Sequence, residues 1–214
     1  STKILLQFYN NILKSDDIPS PWKHAEIIAF PKPDKDTSNP VNYRPISLTS
    51  VLCKLNARLI TNRLVWYLEA NNLLSRDQAG FRQGRSTIDQ LIKLTDTILK
   101  SLGNKEFCEA VFLDMEKAYD MVWQTGLLIK LKNMGIGGKI LTWIGNFISN
   151  RTFQVRIGNI LSGIYMLENG IAQGSIIAPI LFLIFINDFP DGPKKKKKSL
   201  FADDAAVYRT NRNI

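Results

Sequence analysis

An α+β fold is expected for this sequence on three observations. Residues 3–14, 51–68 and 86–102 repeat apolar side chains at helical spacing; in the first stretch these are Ile4, Leu5, Phe8, Ile12 and Leu13. Short runs with strand character lie between and after them, bounded by Pro, Gly and Asn, and those around 153–167 and 201–208 read as β-hairpins. The chain has 214 residues and is 45% hydrophobic, enough for a sizeable core in one large domain or two subdomains, and 22% charged content argues against disorder.

Composition narrows the function. A formal net charge of +9 points to a polyanionic partner, with nucleic acid first in line, although a generic basic surface would carry the same charge. Two cysteines, Cys53 and Cys108, and one histidine, His24, exclude a Cys/His zinc site and a disulfide framework, so a reducing intracellular compartment is expected. The longest apolar run, residues 176–186, contains Pro179 and is too short to span a bilayer. The chain starts at Ser1 with no signal pattern and reads as a segment of a longer polypeptide.

The elements follow in order. After the first helix, residues 25–30 form a strand ending at Pro31-Lys32-Pro33; a polar loop leads to Tyr43-Arg44-Pro45-Ile46-Ser47-Leu48. Lys32, Lys35 and Arg44 therefore lie on or beside extended backbone, either as a solvated face or as a clamp for a triphosphate. Helix 51–68 carries Leu52, Leu55, Leu59 and Leu64 on its apolar side and ends at Asn71-Asn72. Ser86-Thr87-Ile88-Asp89 has the form of a capping box opening the next helix, which Gly103 closes. Arg82 and Arg85 precede that helix start, where an anion is also favoured. Residues 127–134 and 140–148 read as two more helices. Asn169-Gly170-Ile171-Ala172-Gln173-Gly174-Ser175 is a glycine-punctuated loop before a helix over 176–188, capped by Ser175; Gly174 lets backbone approach a flat ligand, with Gln173 supplying a hydrogen bond.

Two acidic features stand out. Ala110-Val111-Phe112-Leu113 reads as a buried central strand ending in Asp114, with Tyr119-Asp120 shortly beyond. Phe201-Ala202-Asp203-Asp204, followed by Ala205-Ala206-Val207-Tyr208, reads as a hairpin tip bearing adjacent carboxylates. Adjacent like charges call for a cation between them, and a hard divalent ion suits carboxylate oxygens. Only a folded sheet brings Asp114 to the Asp203-Asp204 pair. Five lysines, 194–198, occupy much of the hairpin's first strand and are its oddest local feature.

Taken together and in order, the blocks Tyr43 to Leu48, Gly80-Phe81-Arg82, Phe112-Leu113-Asp114 with Tyr119-Asp120, Gly170 to Pro179 and Phe201 to Asp204 resemble the reverse transcriptases of non-LTR retrotransposons, jockey-like elements especially. The resemblance covers nearly the whole chain. It implies the fingers and palm of a right-hand polymerase: an antiparallel palm sheet packed on helices, a fingers-rich part with palm helices over 1–108, the catalytic palm over 109–214, and no thumb. It implies an RNA-directed DNA polymerase that takes an RNA template, a DNA primer and dNTPs and acts in the nucleus, with no membrane. Asp114, Asp203 and Asp204 are implied to hold two Mg²⁺ ions, for which Mn²⁺ is a possible substitute, with Asp204 the less direct ligand. Tyr119 is implied to lie beneath the sugar and exclude a ribose 2′-hydroxyl. Gln173 and Gly174 are implied to support the template–nucleotide pair and Lys32 and Arg44 to approach the triphosphate, while Arg82 and Arg85, from their place before the helix start, are expected to contact nucleic acid.

The chain also departs from the family pattern. Ala172 stands where proline is usual and Ala178 where serine is usual, and the lysine run replaces a mostly apolar strand. Without a thumb, the segment alone is expected to be weakly active or inactive. Two readings compete with the leading one: a degenerate or co-opted copy that binds nucleic acid without catalysis, and an RNA-dependent RNA polymerase. The second is disfavoured by Tyr119 and by Ala202, where those enzymes usually carry glycine.

Overall fold

The computed structural model describes residues 2–189 and 196–212. In chain order the elements are α1 (Thr2–Ser15), β1 (His24–Pro31), β2 (Tyr43–Leu48), α2 (Val51–Ala70), α3 (Thr87–Gly103), β3 (Phe107–Leu113), α4 (Gln124–Asn133), α5 (Gly138–Ile148), β4 (Arg151–Ile157), β5 (Ile160–Leu161), β6 (Tyr165–Leu167), α6 (Ala178–Phe185), β7 (Lys196–Phe201) and β8 (Asp204–Asn211). The expected α+β class and nearly every expected element are present. The chain does not divide at residue 108, however. One unit comprises residues 1–66 and 119–178, and the other 67–118 and 179–214. Linear motifs do not reveal such interleaving, because it depends on which strands pair.

In the first unit the strand order is β2-β1-β4-β5, with β6 also pairing β4. β1 runs antiparallel to β2 and parallel to β4, and the turn after Ile157 makes the expected hairpin, with Ile157 opposite Ile160. Aromatic packing anchors the helices. Phe8 and Tyr9 of α1 meet Trp22, and the Tyr9 hydroxyl donates to the Leu52 carbonyl at 3.0 Å. On α5, Trp143 stacks on Phe147 at 4.8 Å. Burial pushes the Cys53 thiol up to about 11, so it remains protonated and unreactive at neutral pH. His24 engages Thr152 through Nδ1 at 2.9 Å.

The second unit holds a three-stranded antiparallel sheet, β3-β8-β7, with α3 packed on it. The expectation of a buried central strand at β3 fails: β8 is central, and β3 is an edge whose Val111, Phe112 and Leu113 are exposed. A continuous apolar run fits a strand covered on both faces, and the pairing partner that sets its place is far away in sequence. Helix α3 also turns opposite to its apolar pattern. Gln90, Thr97 and Ser101 face inward while Leu91, Ile92, Leu99 and Leu102 are exposed. Gln90 donates through Nε2 to Asp77 O at 3.1 Å and leaves its Oε1 unpartnered, whereas the two hydroxyls are satisfied locally: that of Thr97 donates to Lys93 O at 2.9 Å and that of Ser101 to Thr97 O at 2.8 Å. Small hydroxyl side chains bonded to the preceding turn are thus buried with no polar atom stranded. Helix α6 begins at Ala178, later than expected, with Pro179 in its first turn, where the missing N–H has no intrahelical partner to lose. No helix among the described residues is long and apolar enough to cross a membrane.

The capping box of α3 forms as the sequence predicts, with the Ser86 amide donating to the Asp89 carboxylate at 2.6 Å. Asp89→Ala removes both that bond and a negative charge from the helix's positive end, at a cost of about 1 kcal/mol. Thermal denaturation is expected to show Tm lowered by about 2–4 °C.

Candidate active site

All three expected acids belong to the second unit, at one end of its sheet. β3 and β8 pair with Leu113 opposite Ala205, so continuing that register sets Asp114 opposite Asp204. β7 and β8 close with Phe201 opposite Asp204, which leaves Ala202 and Asp203 as a two-residue turn. The Asp204 carboxyl registers this crowding. It is held above the usual carboxylate range, first by partial desolvation and then by the charges of Asp203 and Asp114. A largely apolar cavity of about 400 Å³, lined in part by Leu91, Leu94 and Phe112, adjoins Asp114 and Asp204. Oxygen-only anionic donors suit a hard divalent cation, so the residues present fit the ions that the family resemblance implies. Among the described residues no three His, Cys, Asp or Glu side chains are grouped closely enough to hold a metal ion as they stand.

The lysine run does not disturb the hairpin. Lys196, Lys197 and Lys198 pair in register with Arg209, Tyr208 and Val207, while Lys194 and Lys195 lie outside the described residues. Lys197 Nζ donates to Thr97 Oγ1 at 3.2 Å and Lys198 Nζ to Phe189 O at 2.9 Å. The long stems thereby lie along the sheet with their charges bonded at its margin.

The expected nucleotide-binding residues are all in the first unit. The loop carrying Gln173 and Gly174 is stitched to β2, with the Ser47 amide donating to Gln173 O at 2.9 Å. Gly174 has φ +102°, and a Cβ there would stand 2.9 Å from Ser47 O. The close approach that requires glycine is therefore made by the protein's own strand, whereas a ligand was expected there. Tyr119 ties into the same loop, its carbonyl accepting the Ile171 amide at 2.9 Å. Arg44 is exposed on β2, opposite Phe30, and strand alternation sets it on the other face from Pro45 and Ser47. Lys32 is half-buried and donates through Nζ to Val41 O at 3.2 Å.

Arg82 departs from the expectation of a nucleic-acid contact. Its side chain is only 5% exposed and forks onto Glu69: Nε donates to Oε1 at 2.7 Å and Nη2 to Oε2 at 2.5 Å. Nη1 donates to the carbonyls of Ser75 at 2.7 Å and Gln78 at 3.3 Å. A guanidinium spent in this way braces the 69–82 segment. The hydrogen bond from Arg82 in turn holds the Glu69 carboxyl below its usual range. Arg85 is half-buried and spends Nη1 on the carbonyls of Arg76 at 2.7 Å and Gln78 at 3.1 Å.

Two residues escaped the sequence reading. Gln78 sits in the motif block before Gly80, yet its side chain reaches the acid hairpin and bonds Ala202. Arg151 is 1% exposed in the first unit; it donates to Phe147 O at 3.0 Å, lies 4.8 Å from the Phe147 ring centroid, and leaves Nη2 unpartnered. No local pattern flags a buried arginine whose role is set by tertiary neighbours.

This fold is that of the reverse transcriptase and telomerase polymerases. The telomerase structure from Candida albicans in complex with a TWJ fragment of telomeric RNA superposes with a TM-score of 0.63 at 12% identity, over 95% of this chain and 40% of that one. The structure of apo telomerase from Candida tropicalis gives 0.60 at 12% identity, over 92% and 40%. The chain matches the family model described as reverse transcriptase (RNA-dependent DNA polymerase) over residues 30–214, and it belongs to that family. Among curated relatives it is 39% identical to the "Probable RNA-directed DNA polymerase from transposon BS" of Drosophila melanogaster, over 97% of this chain. It is 32% identical to the RNA-directed DNA polymerase from mobile element jockey of the same species, over 99%. The chain spans 24% of the length of each of these two relatives.

The geometry makes two predictions. Replacing Asp114 by Asn removes a like charge facing Asp204, so the metal-free protein is expected to gain slightly in stability, by about 0.5 kcal/mol or 1–2 °C in Tm; a fall in Tm would show that the carboxylates do not repel. Arg82→Ala strips Glu69 and the Ser75 carbonyl of the donor that braces them and leaves Gln78 O with Arg85 alone, and it is expected to cost about 2 kcal/mol, lowering Tm by roughly 4–8 °C at neutral pH. Because the folded pKa of Glu69 is depressed, its stabilisation is complete above the unfolded carboxylate pKa and is lost as pH falls through the lower folded value. Urea titrations across that acid range are expected to show the gap between Arg82→Ala and the unaltered protein narrowing as pH falls.

Proposed function

We propose that this chain is the fingers and palm of a non-LTR retrotransposon reverse transcriptase, and that it transfers deoxynucleotides to a DNA primer on an RNA template. The observation that carries this reading is that Asp114 directly follows the last β3 residue paired with β8, while Asp203 and Asp204 close the β7–β8 hairpin, near enough that the charges of Asp203 and Asp114 help raise the Asp204 carboxyl. Asp114 and Asp203, with Asp204 less directly, would hold two Mg²⁺ ions. When bound, such ions lower the pKa of the primer 3′-hydroxyl and neutralise the charge developing on the leaving pyrophosphate. The chain's own work is to hold the three carboxyls at one end of the sheet, where those ions would bind.

The first unit supplies the residues assigned to the nucleotide. Tyr119, anchored by its carbonyl to the 170–175 loop, is assigned to the sugar and to exclusion of a 2′-hydroxyl. Gln173 and Gly174, fastened to β2, are assigned to the templating pair, and the half-buried Lys32 and exposed Arg44 to the triphosphate. Arg85 remains assigned to the nucleic-acid backbone, whereas the buried, forked Arg82 is better read as a brace. The net charge of +9 favours the polyanionic partners this implies, and action on chromosomal DNA in the nucleus is part of the proposal.

Primer extension on an RNA template tests the assignment. Mg²⁺-dependent dNTP incorporation is expected to drop to background in Asp203→Asn with the fold retained by circular dichroism, and rNTPs are expected to be poor substrates until Tyr119 is replaced by Ala. Equal incorporation by Asp203→Asn and the unaltered protein would leave a nucleic-acid-binding module without catalysis. Preferential rNTP incorporation by the unaltered protein would instead mark an RNA polymerase.

A further inference from the structure

Beyond the acids themselves, the side chain most fully engaged with the acid hairpin is Gln78, which is 3% exposed. Its Oε1 accepts two amides, from Gly80 at 2.8 Å and from Ala202 at 2.9 Å. Its Nε2 donates to the carbonyl of Ala202 at 3.2 Å. Both main-chain polar groups of Ala202 are thus held by a single carboxamide, and Ala202 is the residue immediately before Asp203.

The turn needs such a hold for two reasons. Ala202 sits at φ +54°, in the left-handed region that disfavours an alanine by about 1–2 kcal/mol. The charges of Asp203, Asp204 and Asp114 also push on the same few residues. Flanking contacts align the grip: the Ala79 amide donates to Leu200 O and the Leu200 amide to Asp77 O, both at 2.9 Å. Gly80 lies so close that a Cβ there would stand 2.1 Å from the Ala202 nitrogen. From behind, the Gln78 carbonyl accepts from both Arg82 and Arg85. The chemistry selects glutamine: an acceptor shared by two amides plus a donor for one carbonyl is what a carboxamide offers. A glutamate would set a second oxygen against Ala202 O, and an apolar side chain would strand two buried amides and a carbonyl.

We infer that Gln78 is a positioning residue for nucleotidyl transfer, holding the Ala202–Asp203 turn so that Asp203 and Asp204 meet the divalent ion in a fixed arrangement. This rests on the metal-binding role proposed above for the acids. Residues that orient metal ligands from behind typically change metal affinity or activity by about 10–100-fold when removed.

Mn²⁺ alone, followed by electron paramagnetic resonance on the full chain, reads this without turnover, and primer extension over a range of Mg²⁺ concentrations adds a second readout. In Gln78→Met the Mn²⁺ dissociation constant and the Mg²⁺ half-saturation are both expected to rise about 10–100-fold. The rate should recover toward the unaltered value at saturating Mg²⁺, and the KM for dNTP should not change. Unchanged metal constants, with the rate lowered only in proportion to the folded fraction, would overturn the inference. Should Gln78→Met fail to fold, Gln78→Asn decides by the same constants, because it keeps the carboxamide but is one methylene short of the turn. Asp203→Asn separates the two ideas. If it binds Mn²⁺ as the unaltered protein does, the metal site is wrong and this inference falls with it; if it loses Mn²⁺ while both Gln78 variants retain it, only the role of Gln78 is wrong.

Discussion

Three like charges at one end of a small antiparallel sheet repel one another, and the second unit is arranged to keep them there. The β3-β8-β7 register sets the spacing, and the two-residue turn between β7 and β8 sets the direction of Asp203. Segment 77–80 lies along β7 and grips the turn through Gln78, while Gly80 leaves room for that approach. Arg82 braces the segment by bonding Glu69, Ser75 and Gln78 together. Each piece is ordinary alone. Together they over-determine a turn that an alanine at positive φ and repelling carboxylates would otherwise loosen, which is where strained backbone tends to carry function.

The first unit applies the same logic to a loop. Gln173 and Gly174 are not free to wander, because the Ser47 amide of β2 bonds the Gln173 carbonyl and the glycine lets the two backbones meet. A loop fastened in this way presents its polar groups at little entropic cost on binding. Strand β2 has two sides to its work, since Ser47 belongs to the loop contact while Arg44 stands exposed on the other face.

Much of this was legible in the residues. Helical spacing marked α1, α2 and α3, the capping box at Ser86 and Asp89 formed as written, and the hairpin bearing Asp203 and Asp204 closed where the Phe-Ala-Asp-Asp string set it. Asp114 follows directly on the last paired residue of β3, at the same end of the sheet as that hairpin tip. What escaped were features whose sign depends on distant neighbours. β3 was read as central from its apolar run but forms an edge. Arg82 was read as facing an anion, yet its anion is Glu69 of its own chain. Gln78 carried no local mark, since its importance lies in reaching a turn far along the chain.

The division between sequence and tertiary structure follows the range of the forces involved. Periodicity, caps and turns are settled by residues a few positions apart, so the order of elements, the acidic tip and the family signature could be read directly from the chain. Strand order, the interleaving of two units and the choice of which buried polar groups satisfy one another required the folded molecule. Each buried donor or acceptor must find a partner wherever the chain happens to pass, and no local pattern records where that is.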